Sequence, residues 1–268
     1  MGPIGVFDSG IGGLSILQAL GAELPLESFV YLADSAHAPY GERDDDFLIE
    51  RSRRITQYFR QQHQIKLLVV ACNTATAAAI QTLRAEHPDL PMVGVEPALK
   101  PAAALSQTHR IGVLATRSTL ASAKYQALLQ SLCGQAEFIS QACDGLADAI
   151  EQDDSQKIAA LCLDYTQAMG LFGKQTGQID SLVLGCTHYP FVSAQIKAAV
   201  GQTIALFDSG EPVARQTRRL LEVGALGLAQ GPARITLLAS GATAALQGAA
   251  QRWLKLTPTV HCQPALSI

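Results

Sequence analysis

The chain contains no CxxC pair. Its six cysteines, Cys72, Cys133, Cys143, Cys162, Cys186 and Cys262, stand well apart, which argues against a zinc ribbon or a thioredoxin-like redox site and implies no metal. In a reducing compartment the default reading of each is a buried, inert thiol. There is no basic stripe either: the formal charge is −3 and 16% of residues are charged, so nucleic acid is not an expected partner. No apolar run is long enough to cross a bilayer. The first residues lack a basic region followed by an apolar run, and Val6 stands where a myristoylation signal needs Ser or Thr. A cytoplasmic protein without a membrane partner is expected. No Gly/Ser linker or low-complexity segment divides the chain.

What is present is apolar and periodic. With 268 residues and 48% hydrophobic content, the chain can build one large core or two modest ones. Continuous apolar runs at 4–7, 29–33, 67–71, 92–95, 111–115, 181–185, 203–207 and 235–239 read as strands covered on both faces. Helical patterns alternate with them, most clearly at 14–22, 46–62, 76–87, 118–132, 155–172, 191–200 and 212–227. The rhythm predicts an α/β fold with mainly parallel sheets flanked by helices. Pro97 and Pro101 bracket one plausible crossing point. Phe207-Asp208-Ser209-Gly210 repeats Phe7-Asp8-Ser9-Gly10, as if at equivalent strand ends. These features predict two pseudo-symmetric lobes, 1–97 plus 208–268 and 98–207, with an active site in the cleft between them.

Ligands of open α/β sheets bind beyond the carboxyl ends of the strands, so the residues following each strand carry the functional signal. After the first strand, Asp8-Ser9-Gly10-Ile11-Gly12-Gly13 offers a tight turn and backbone N–H groups for an anion. A dinucleotide fingerprint would need glycine at position 15, where Ser15 stands. Asp34 lies near the place of a ribose-binding acid, but Asp8 would set a negative charge close to a pyrophosphate. After the second strand, residues 34–41 form a loop whose backbone N–H groups and Tyr40 hydroxyl could hold a carboxylate, or simply a turn with a packed tyrosine. After the third, Cys72-Asn73-Thr74 starts a helix, where unpaired N–H groups and the helix dipole favour thiolate. Leu184-Gly185-Cys186-Thr187-His188 repeats the form of strand, cysteine and polar residue, with a histidine placed to relay a proton. Two reactive thiols on different lobes suit a stereochemical inversion: one removes a proton from one face of a carbon, and the other returns a proton to the opposite face.

DSGIGG at 8–13, PYG at 39–41, CNTA at 72–75 and GCTHYP at 185–190 together resemble the glutamate racemase family, within the wider aspartate and glutamate racemases. The resemblance implies a two-lobed α/β fold, no pyridoxal or other cofactor, and L- and D-glutamate as substrates. It implies that Cys72 and Cys186 exchange the proton, assisted by Asp8 and His188. Ser9, Asn73, Thr74 and Thr187 would hold the amino-acid head, and Tyr40 and Gly41 the side-chain carboxylate. Thr116 and Thr119 resemble a further substrate-contacting strand end. Glu151 falls where the family often places an acid, although Asp144 replaces the proline usual before it. The N-terminus resembles members without a regulatory arm. Provision of D-glutamate for peptidoglycan and a homodimer are further implications. Aspartate racemisation, a cysteine hydrolase built on Cys186 and His188, and a non-catalytic amino-acid or nucleotide-binding protein are the alternatives. Cys133, Cys143, Cys162 and Cys262 match no motif and are expected to be structural.

Overall fold

The inner apolar runs become strands buried on both faces. In the computed structural model, which describes residues 2–224, 233–254 and, as backbone, 259–264, the first of them is β1 (Ile4–Asp8), buried throughout. It leads through a glycine-rich turn into α1 (Leu14–Glu23), and β2 (Phe29–Ala33) follows, again fully buried. Helix α2 (Asp45–Tyr58) is N-capped by the Asp44 carboxylate, which accepts from Phe47 N–H. It ends in a π-helical turn over Phe59–His63. Then come β3 (Leu67–Val70), α3 (Asn73–Glu86) and β4 (Met92–Gly94).

The chain next builds a second unit: α4 (Leu99–Leu105), β5 (Arg110–Ala115), α5 (Arg117–Ala121), α6 (Ala123–Ser131), β6 (Glu137–Ala142), α7 (Leu146–Glu151), α8 (Ser155–Met169), β7 (Ser181–Gly185), α9 (Ser193–Val200) and β8 (Ala205–Phe207). It then returns to the first unit with α10 (Gly210–Val223), β9 (Arg234–Ala239), α11 (Thr243–Trp253) and β10 (Thr259–Pro264). The two compact units are Met1–Val95 with Gly210–Ile268, and Glu96–Ser209.

In the first unit the sheet order is β10-β9-β2-β1-β3-β4, and every pairing is parallel. Its core joins Phe7, Leu32, Ile55, Phe59, Val70, Ile80 and Leu238. Side chains of this kind contribute about 1.5–3 kcal/mol each on full burial. In the second unit the order is β6-β5-β7-β8, also parallel. One cluster there gathers Leu114, Leu146, Leu182, Leu184 and Ile196, and another gathers Leu99, Ile111, Val113, Tyr125 and Val183. The order second-first-third-fourth thus occurs in both units. The ends of the second unit meet, because the Ser209 hydroxyl donates to Glu96 O at 2.6 Å.

Several details differ from the sequence reading. The Phe-Asp-Ser-Gly repeat does not mark equivalent strands: Phe7 lies in the inner strand β1, whereas Phe207 ends the edge strand β8. The single helix expected over 118–132 is two, broken at Ser122, whose hydroxyl caps the second by accepting from Tyr125 N–H. Strands β6 and β10 and helices α4, α7 and α11 were not anticipated. The last three residues of the expected helix 212–227, and the side chain of Cys262, lie outside the described residues.

Candidate active site

Strand order dictates where a ligand can enter each sheet. From β1 the chain steps to β2 on one side, then crosses to β3 on the other, so the carboxyl ends of β1 and β3 flank a topological switch point. In the second unit β5 steps to β6 and the chain then crosses to β7, which creates the same crevice between β5 and β7. Asp8 and Cys72 stand at the first crevice, and Thr116 and Cys186 at the second.

Cys72 is nearly buried and is the N-cap of α3; its sulfur accepts from Ala75 N–H at 3.5 Å. A sulfur at a helix start feels the positive end of the dipole, which favours thiolate. The helix is pinned by Thr76, whose hydroxyl donates to Val70 O at 3.0 Å and accepts from Val95 N–H at 3.0 Å. Asn73 and Thr74 occupy the first turn, both buried. Among the described residues nothing hydrogen-bonds to the carboxamide oxygen of Asn73.

Asp8 is fully buried, and its Oδ2 accepts from Gly13 N–H at 2.8 Å. At the helix start that follows the glycine-rich turn, the N–H groups are therefore not open to an anion, as the sequence suggested they would be. Gly13 N–H serves Asp8, while those of Leu14 and Ser15 serve the carbonyls of Ile11 and Gly12. Glycine at 13 answers to crowding: a Cβ there would lie 2.7 Å from Asp8 Cβ and 2.9 Å from the Tyr31 hydroxyl. Ser9 beside it is half-buried.

The loop after β2 carries a second correction. Tyr40 is buried, and its hydroxyl donates to Asp34 Oδ2 at 2.6 Å instead of presenting itself to a ligand. Burial and the adjacent Asp34 charge push its pKa far upward, so the phenol stays protonated. Asp34 is also gripped by Arg51, through Nε to Oδ2 at 3.0 Å and Nη2 to Oδ1 at 2.8 Å, and by His37 Nδ1 at 3.0 Å. Burial raises the Asp34 pKa, but the bonds from Arg51 and Tyr40 outweigh it and hold the carboxyl below its usual range. With both oxygens so occupied, Asp34 does not serve as a ribose-binding acid. Gly41, next to Tyr40, is exposed.

In the second unit Cys186 is buried at the end of β7, its sulfur 3.6 Å from His188 Nδ1. His188 Nε2 lies 2.7 Å from Glu151 Oε1 at the end of α7. Burial is the largest influence on His188 and disfavours its charge, yet the bonds to Cys186 and Glu151 together raise its pKa well above the ordinary value. Thr187, between cysteine and histidine, is buried. Thr116 caps α5: its oxygen accepts from Thr119 N–H, and its hydroxyl donates to Thr119 Oγ1 at 2.8 Å. Cys143 and Cys162 behave as structural thiols, since burial pushes the first up to about 12 and the second up to about 11. Cys133 is exposed.

The expected residues thus group within each unit: Asp8, Ser9, Tyr40, Gly41, Cys72, Asn73 and Thr74 in the first, and Thr116, Thr119, Glu151, Cys186, Thr187 and His188 in the second. Arg51 was missed. It falls in helical phase with the buried Leu48, Ser52 and Ile55, and a charge on an apolar stripe is the signal that could have found it.

Comparison with known proteins places the chain among racemases. The family model described as Asp/Glu/Hydantoin racemase matches residues 14–217. A glutamate racemase of Pseudomonas putida is 47% identical over 87% of this chain and 86% of its own length, and one of Pseudomonas syringae pv. tomato is 46% identical over 88% and 84%. Among solved structures, a glutamate racemase isoform of Bacillus anthracis superimposes with a TM-score of 0.84 at 30% identity, covering 98% of this chain and 97% of that one. The Escherichia coli glutamate racemase, in complex with L-glutamate and the activator UDP-MurNAc-ala, gives 0.80 at 27% identity over 98% and 100%.

Proposed function

Because the chain belongs to the Asp/Glu/hydantoin racemase family, we propose that it interconverts L- and D-glutamate by proton transfer at the α-carbon, with Cys72 and Cys186 as the alternating base and acid. One observation carries the assignment of roles: each unit delivers a buried cysteine to its own switch point, Cys72 at a helix start where its sulfur accepts from Ala75 N–H, and Cys186 beside the His188 ring.

The chemistry follows from these partners. Abstraction requires a thiolate on one face of the α-carbon and a protonated thiol on the other, and reversal exchanges the two. The α3 N-terminus supports negative charge on Cys72, and Asp8, whose carboxylate accepts from Gly13 N–H, is assigned as its auxiliary group. His188, kept protonated by Glu151 and Cys186, has a proton within reach of the second sulfur. Asn73 Oδ1 offers an acceptor for the substrate ammonium. Ser9, Thr74 and Thr187 are assigned to the amino-acid head, Thr116 and Thr119 to a further substrate contact, and the Tyr40–Gly41 backbone to the side-chain carboxylate. Donors fixed in advance around the α-carboxylate stabilise the developing carbanion without reorganising. This reading needs no cofactor. It extends to a cytoplasmic homodimer that supplies D-glutamate for peptidoglycan.

The test is racemisation of L-glutamate in D2O, followed by chiral separation and mass spectrometry at low conversion. Two thiols that do not share one proton predict deuterium in the newly formed D-glutamate while residual L-glutamate stays protiated. Equal early labelling of both enantiomers, or full activity in Cys72→Ala, would overturn the scheme; the latter is the outcome a one-cysteine hydrolase predicts. Faster turnover of L-aspartate than of L-glutamate would reassign the substrate.

A further inference from the structure

Asp34 is fully buried at the carboxyl end of β2, yet it carries no part of the proposed proton transfer. Its Oδ2 accepts from Arg51 Nε and from the Tyr40 hydroxyl; its Oδ1 accepts from Arg51 Nη2 and faces His37 Nδ1. Arg51 is itself only 4% exposed and reaches Asp34 from the middle of α2. A buried ion pair is a poor device for stability alone, since well-packed apolar residues of similar volume often do as well or better. What such a pair supplies is direction: a bidentate guanidinium fixes the plane of a carboxylate, and that carboxylate fixes whatever else it binds.

Here the further group is Tyr40. Its ring is buried in the cluster that includes Cys72, Leu32 and Leu48, and its hydroxyl is tied to Asp34. The short helical turn Tyr40–Glu42 starts from this anchor, so the backbone leading to exposed Gly41 is held by the far end of the Tyr40 side chain. The same loop is also tied to Ser240, whose hydroxyl accepts from Ala36 N–H at 3.1 Å. We infer that Arg51 is a positioning residue for substrate recognition: through Asp34 and Tyr40 it sets the Tyr40–Gly41 backbone to receive the side-chain carboxylate. This rests on the reading that the 39–41 loop binds that carboxylate.

The consequence is selective. Loss of the bidentate bond should weaken binding of the distal carboxylate and spare the proton transfer at the α-carbon. Arg51→Lys keeps the charge but not the fork, and Tyr40→Phe removes only the hydroxyl. In each variant KM for L-glutamate should rise about tenfold, the equivalent of one misplaced polar contact, while kcat stays within about threefold. Cα deuteration of L-norvaline, which lacks the side-chain carboxylate, should be unchanged in Arg51→Lys. A lowered thermal midpoint with wild-type KM, or equal slowing of glutamate and norvaline, would assign Arg51 a purely structural role and overturn the inference. Gly41→Pro, which removes a loop N–H, separates the two levels. A raised KM in Gly41→Pro with wild-type values in the other two variants overturns the role of Arg51 alone. An unchanged KM in Gly41→Pro overturns the loop reading and the inference together.

Discussion

His188 shows how a buried residue can carry a charge. It is buried, so its charge is costly, yet Cys186 and Glu151 on its two nitrogens more than offset that cost. A histidine whose folded pKa is raised contributes stability that is fully present below its unfolded value of about 6.5 and is lost as pH rises through the folded value. His188→Asn should therefore be less stable than the parent chain, with the gap in thermal midpoint widest at low pH and shrinking as pH climbs. A constant gap across the range would show that the charge is not what the fold uses. The reverse case is Asp34, whose depressed pKa contributes stability above about 3.9 that disappears as pH falls through the lower folded value.

At the scale of elements, the helix that Cys72 caps is tied down by Thr76, whose one hydroxyl joins the end of β3 to Val95 just beyond β4. Thr76→Val keeps the shape, deletes both bonds and strands the buried N–H of Val95. A loss of about 2 kcal/mol in denaturant unfolding is expected, with both thiols intact in number. Most such elements were legible in advance because inner parallel strands announce themselves as unbroken apolar runs ending in Asp8, Cys72 or Cys186. Those that escaped lack the signal. Strand β6 is an edge strand, half-buried or exposed along its length, and reads as polar. Helix α4 contains Pro101, tolerated in the first turn where no N–H is needed. Helix α7 is one short turn and a half, and only the family resemblance drew attention to its Glu151. The sequence also placed the Tyr40 hydroxyl and the glycine-turn N–H groups toward a ligand. The hydroxyl is consumed by Asp34, and the N–H groups of Gly13, Leu14 and Ser15 by Asp8 and the carbonyls of Ile11 and Gly12, which pattern alone does not reveal.

At the scale of the whole chain, the second unit is an insertion with its own sheet and two apolar clusters. A polypeptide spanning 96–209 should consequently fold alone, with a cooperative thermal transition by circular dichroism; a featureless melt would contradict this. The contact of Ser209 with Glu96 then acquires a kinetic meaning. Bringing together the ends of a disordered loop of that length costs about 4 kcal/mol in entropy. A folded insert abolishes that toll before β9 and β10 ever reach β2, so the split sheet can be completed as though its two halves were nearly contiguous in the chain.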